Sequence, residues 1–167
     1  MGTAGIQLIR GLDPAELAGD LDRLYCYERV SIHWAQAVDN RLTGPAAFIM
    51  GKPLRQHVEL AERHASRLSA RIAQLGAAIT ADPTRFVERS RSASVDVPED
   101  TSDPAAVLTY ALTQEQKIIG RYGQLIDRVR GADAVTEQLL VSILADKVAR
   151  EDEVESALTN TVTDRIP

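Results

Sequence analysis

A chain of 167 residues, 44% of them apolar, can bury one continuous core as a single domain (1–167) without disulfides or structural metals. Its net charge of −5, with no run of Lys and Arg of the kind that follows a phosphate backbone, excludes nucleic acid and anionic membrane as expected partners. Cys26 is the sole cysteine, which excludes an intramolecular disulfide and a sulfur-based zinc site and suits a reducing, cytoplasmic setting. No stretch reaches the ~20 apolar residues of a membrane span, and the first ten residues lack a basic segment followed by an apolar run, so neither export nor anchoring is expected. Aromatic residues make up only 4%, too few for a stacking platform, so aliphatic side chains must do the packing.

The sequence predicts an all-α, antiparallel four-helix bundle. Asp13-Pro14-Ala15-Glu16 supplies a cap, a proline at the first helical position and a glutamate three residues after the cap, opening a helix over about 13–42. Leu17, Leu21, Leu24, Ile32, Ala35 and Val38 share one face of it, and Glu28 interrupts that face. A second helix is predicted over about 53–76, opened by Pro53 and closed by Gly76, with His57 and His64 on its inner face beside Leu60, Ala61 and Leu68. Residues 77–102 lose the helical period and read as one long crossover. Ser102-Asp103-Pro104 opens the third helix (103–130), with Glu115 in the stripe formed by Leu108, Leu112, Ile118 and Leu125. After the turn Gly131-Ala132-Asp133, the fourth (133–160) carries Leu140, Ile143 and Val154 inward, interrupted by Lys147 and Arg150.

A helix rises 1.5 Å per residue, so Glu28, His64, Glu115 and the Lys147/Arg150 pair, each mid-helix, are expected at one height in the bundle. Singly, each reads most simply as a rim residue or a satisfied polar group in the core; their coincidence on four helices reads as a site. The residues around them carry a resemblance. His64-Ala65, Arg71-Ile72 and Leu75-Gly76 in the second helix, and Leu139-Leu140, Ile143-Leu144, Asp146, Asp152 and Glu155 in the fourth, resemble the ferritin-like superfamily, within it the bacterioferritin and Dps-like ferritin branch, over about 13–158.

That resemblance implies a bundle with one long crossover, a dimer or higher homo-oligomer, and two irons held by one glutamate from each of two helices and a Glu-x-x-His pair from each of the others. Glu28, His64 and Glu115 match three of those ligands. Ala61 stands where a bridging glutamate belongs, and Lys147 and Arg150 stand at the fourth-helix Glu and His positions. Turning Glu151 or Glu153 inward instead would expel Ile143 and Val154. The expectation is therefore a salt-bridge layer of two carboxylates facing two fixed cations, with no di-iron centre and no ferroxidase activity.

No catalytic residue is assigned. Two other readings stay open: metal-independent acid/base chemistry on an unidentified small molecule in a pocket of Glu28, His64, Glu115 and Lys147, or iron binding by a reduced, mononuclear set of Glu28, His64 and Glu115. His57 reads first as a hydrogen-bonded buried histidine and second as the lining of a cavity. Haem is not expected, because Glu62 stands at the position where bacterioferritin has its haem-binding methionine, and Met50 is out of register. Trp34 reads as packing or a subunit contact. Arg85, Arg89 and Arg91 in the crossover are offset by Glu88, Asp96, Glu99 and Asp100, and no nucleic-acid role is assigned to them. Nine residues follow Leu158, too few for the fifth helix of the large cages, so a 24-subunit shell is not expected.

Overall fold

A computed structural model describes residues 4–163. Among these, the helices are α1 (Ala4–Gln7), α2 (Pro14–Asp39), α3 (Gly44–Gln74), α4 (Phe86–Ser90), α5 (Pro104–Val129) and α6 (Ala134–Thr163), with a 3-10 turn at Pro83–Arg85. Aspartates set the starts of three long helices by satisfying free amides of the first turn. Asp13 accepts from Ala15 N at 3.0 Å, Asp103 from Ala105 N at 2.9 Å, and Asp133 from Val135 N and Thr136 N at 3.2 and 3.1 Å. Pro14 and Pro104 follow their caps, where a missing N–H costs nothing. The four long helices α2, α3, α5 and α6 form an antiparallel bundle in which α2 packs on α3 and α5 on α6, the two hairpins being joined by the long connection between α3 and α5.

Three local features differ from the sequence expectation. The second long helix begins at Gly44 rather than at Pro53. Thr43 is extended, Gly44 turns the chain at φ +55°, and Pro45 fills the first turn, so this stretch opens α3 instead of ending α2. Pro53 lies inside the helix, and its carbonyl gains a hydrogen bond from Arg150 Nη2 at 3.3 Å. The crossover is not featureless: Asp82 caps the 3-10 turn through Thr84 N at 3.0 Å, and α4 follows. Its anchor is Asp22, buried on α2, whose carboxylate accepts from Thr80 N (2.7 Å), Thr80 Oγ1 (2.8 Å) and Arg89 Nε (2.8 Å). Trp34 fastens the far end of the same segment, donating to Asp96 O at 2.9 Å and stacking on Tyr110 with ring centroids 5.0 Å apart. The last difference is at the end of the bundle, where α6 runs on to Thr163; residues 164–167, part of the segment expected to lack a fifth helix, lie outside the described residues.

The apolar interior comes in two parts. One cluster joins Leu17, Leu21 and Leu24 of α2 to Leu68 and Ile72 of α3, Ile118 and Leu125 of α5, and Leu140 and Ile143 of α6. The other joins Trp34, Ala35 and Val38 to Met50, Leu54, Leu108 and Val154. Each fully buried Leu or Ile contributes about 1.5–3 kcal/mol, so either half is a substantial core, and the space between them is where Glu28, His64, Glu115 and Lys147 are buried.

At the end of the first half, Arg71 of α3 donates from Nη2 to Asp133 Oδ2 at 2.7 Å and from Nε to Thr136 Oγ1 at 2.8 Å. Burial would push the Asp133 carboxyl up, but its bonds to Thr136 and Arg71 outweigh that and hold it below the usual range. Asp133→Ala removes a cap and strands a buried guanidinium, so it should cost about 3–5 kcal/mol. The exposed cap change Asp13→Ala should cost only about 1 kcal/mol. Urea unfolding of the two variants compares them directly, and equal losses would show that the Arg71 contact is worth no more than a surface cap.

Candidate functional site

Glu28 is one of the most enclosed groups in the bundle, with no solvent-exposed surface. Its two oxygens have separate partners. Tyr122 of α5 donates its hydroxyl to Oε1 at 3.0 Å, and Lys147 of α6 places Nζ 3.0 Å from Oε2. The same ammonium lies 4.0 Å from Glu115 Oε2 and 5.7 Å from the centre of the Tyr27 ring, so two anions and an aromatic face surround one cation. On the other side, His64 Nδ1 is 3.7 Å from Glu28 Oε2, while its Nε2 is 3.0 Å from Asp146 Oδ2 at the half-exposed surface of α6.

His57 lies two turns before His64 on α3 and completes the layer. Its Nε2 is 2.9 Å from Ser31 Oγ and its Nδ1 3.5 Å from Glu115 Oε1. Beside it a cavity of about 30 Å³, bordered by Ser31, His57, Glu115 and Arg150 and by the apolar surfaces of Tyr27 and Trp34, is large enough for about two water molecules. Arg150 does not join the salt-bridge layer as expected. Its long side chain runs to the rim, where Nη1 meets Glu153 at 3.4 Å and Nη2 meets Pro53 O at 3.3 Å, leaving Lys147 as the cation in direct contact with the carboxylates. Ala61 is fully buried and presents only a methyl group between the two histidines.

Burial pushes the Glu28 carboxyl up, but the Lys147 ammonium and then His64 outweigh it and hold it down at about 2. Burial pushes Lys147 down, and Glu28 and Glu115 outweigh that, keeping the ammonium charged above its ordinary value. For Glu115, with Lys147 a full 4.0 Å away, burial wins and the carboxyl is raised. His57 is held down at about 3 by burial and by the neighbouring Lys147 and Arg150 charges, so it is neutral at pH 7. Two polar atoms of the layer, His64 Nδ1 and Glu115 Oε2, are buried without a hydrogen-bond partner. Among the described residues, no three His, Cys, Asp or Glu side chains are grouped so as to hold a metal ion.

The structure thus brings together Glu28, His64, Glu115 and Lys147 with His57, and leaves Arg150 at their edge. Sequence reasoning missed Tyr122, Asp146 and Ser31 as partners. Spacing could have found two of them: Tyr122 is seven residues after Glu115, on the same face two turns on, and Ser31 is three residues after Glu28. Asp146 stood out only through the family resemblance, since it lies beside the inward Lys147 at the edge of the face that reads as solvent.

Two tests follow from this geometry. Lys147→Ala strands the Glu28 carboxylate and should cost about 3–5 kcal/mol, whereas the double change Glu28→Gln with Lys147→Met, which removes both charges, should cost clearly less. Chemical denaturation measures both; a loss near 0.5 kcal/mol for Lys147→Ala would indicate a solvated pair. The second concerns acid. Neutral His57 in the fold and an unfolded value near 6.5 mean that the unfolded chain takes up the proton first, so stability falls as pH drops from about 6.5 towards 3, by up to ~1.4 kcal/mol per pH unit. Glu115, raised above 4.5, acts in the opposite sense by taking up its proton first in the fold. Subtracting the pH profile of His57→Gln isolates the histidine: between pH 7 and 5 the wild type should lose stability faster than the variant, and parallel profiles would contradict a neutral His57.

Comparison with known proteins places this geometry in context. Residues 20–163 match the family model described as the ferritin-like domain. No curated protein matches the chain in sequence. Among solved structures it is similar to a dodecameric thioferritin, the bacterioferritin-related protein of Bacteroides fragilis, with a TM-score of 0.90 and 21% identity over 98% of this chain and 97% of that one. It is also similar to Dps92 of Deinococcus radiodurans (TM-score 0.80, 19% identity, 90% of each chain) and to a mutant of Dps1 from Mycobacterium smegmatis (TM-score 0.77, 18% identity, 90% of this chain and 99% of that one). Identities this low carry the fold and not the chemistry. No helix among the described residues is long and apolar enough to cross a membrane.

Proposed function

Since this chain belongs to the ferritin-like domain family, we propose that it is a homo-oligomeric member in which a lysine-centred salt-bridge layer replaces the di-iron centre, and that it does not oxidise iron. The observation that carries the reading is the position of Lys147 Nζ, 3.0 Å from Glu28 and 4.0 Å from Glu115. The donor set does not fit two irons. Glu28 is committed to Tyr122 and Lys147, Ala61 offers no donor, and Arg150 turns to Glu153 and Pro53. A fixed ammonium opposes an incoming Fe²⁺ as well, by about 4 kcal/mol per unit of charge at ~4 Å and an effective dielectric near 20. In this role Lys147 supplies the counter-charge to Glu28 that metal ions supply in di-iron relatives.

An organic substrate is disfavoured by the small cavity, since pockets for such ligands are typically about 300–1,000 Å³ and this one is about 30 Å³. A single iron is the remaining alternative, supported by the unpartnered Nδ1 of His64 at 3.7 Å from Glu28. Self-association rests on the dodecameric Bacteroides protein and on Phe48, 93% exposed near the start of α3, with Ile49 beside it. The assembly proposed is at least a dimer.

Anaerobic titration with Fe²⁺ followed by exposure to oxygen tests the reading. The wild-type protein should bind no stoichiometric iron and leave the oxidation rate at that of buffer. The triple variant Ala61→Glu, Lys147→Glu, Arg150→His, which rebuilds the family's ligand set, should bind about two irons per chain. Two irons bound and rapidly oxidised by the wild type would overturn the proposal, and one iron per chain would favour the mononuclear alternative.

A further inference from the structure

A cleft on the flank of the bundle gathers arginines that are scattered in the sequence. Arg23 of α2, Arg121 and Arg128 of α5, and Arg91 just past α4 line a volume of about 210 Å³ floored by Leu24 and Leu125. Arg121 and Arg128 are seven residues apart and share a face of α5. In a chain of net charge −5, this is a local field of the opposite sign.

Not all of that charge is neutralised. Asp20 accepts from both Arg23 and Arg128, and Glu16 accepts from Arg128 Nη2 at 2.9 Å. Arg91 and Arg121 form no ion pair among the described residues. Arg23 Nε is buried and makes no hydrogen bond within the protein, so it is an available donor on the cleft wall. Arg91, at φ +56°, is the left-handed cap that ends α4, its N–H bonded to Glu88 O, and this helix end sets the residue on the cleft. The hydroxyls of Ser90 and Ser92 donate to the carbonyls of Val87 and Ser90, so recognition falls to the guanidinium groups.

We infer that this cleft binds a small phosphate-type oxyanion, inorganic phosphate or the phosphate group of a monoester, with Arg91 and Arg121 as its principal ligands. Guanidinium forks match the paired oxygens of phosphate, and two uncommitted cations match a dianion. An extended polyanion fits less well, because Asp20 is part of the wall and Glu16 is drawn to the rim. The site is independent of the bundle interior and holds whichever reading of the Glu28 layer is correct.

Calorimetric titration of the full-length protein with inorganic phosphate, at constant ionic strength set with chloride, tests the assignment. The wild type should show saturable binding. The double variant Arg91→Ala, Arg121→Ala should weaken it about tenfold or more while melting at the same temperature in phosphate-free buffer, since neither side chain makes an ion pair in the fold. Absence of saturable binding by the wild type, or unchanged affinity in the double variant, would overturn it. So would a short DNA duplex that binds through the same arginines while free phosphate does not.

Discussion

Glu28 and Lys147 approach to 3.0 Å in the middle of four helices, where neither retains contact with solvent. Bringing an isolated carboxylate or ammonium to such a place costs several kcal/mol, and their mutual attraction recovers it only if the geometry is good and the remaining lone pairs find donors. Tyr122 meets that condition on one oxygen of Glu28, and Lys147 on the other. Because each helix contributes at least one member of the layer, the pair constrains rotation and axial position of all four. A turn of α6 that carried Lys147 outward would leave a carboxylate buried without a counter-charge and would also expose Ile143.

Much of the remaining organisation follows from that constraint. The interior is divided because the layer interrupts it, and the two apolar clusters enclose Glu28 and Lys147 from either side. Polar contacts then run in sequence across the bundle, from half-exposed Asp146 through His64 to Glu28 and Lys147, and on through Glu115 and His57 to Ser31. The links are unequal: Glu28 is drawn down to about 2 while Glu115 is raised, although the same ammonium faces both. Lys147 comes 1.0 Å closer to Glu28, which also accepts from Tyr122 and faces His64. Glu115 Oε2 has no hydrogen-bond donor, and besides burial the Glu28 charge itself helps to raise the Glu115 carboxyl.

The fold class was legible from the sequence because caps, prolines and apolar spacing agree with one another, as at Asp13, Pro14 and Leu17. The inner positions of Glu28, His64, Glu115 and Lys147 were legible for the same reason, since each interrupts a regular stripe. What the sequence concealed was the destination of long or amphipathic side chains. Arg150 occupies an inward position, yet its length lets it leave the layer for Glu153 and Pro53. Tyr122 packs within an apolar cluster and also donates its hydroxyl to Glu28. The start of α3 was misplaced because Pro53 is the kind of residue that opens helices, and only the bundle shows that one can be carried inside. The arginine cleft was invisible in principle, being assembled from three separated segments.

Whether Lys147 truly stands in for metal is most directly decided by diffraction. Crystals grown anaerobically with excess Fe²⁺ and measured at the iron absorption edge would report the contents of the layer without recourse to activity. A lysine-filled layer predicts no anomalous peak between Glu28 and Glu115, with Lys147 Nζ still within hydrogen-bond reach of Glu28. Two peaks flanked by those carboxylates, with Lys147 displaced, would contradict it.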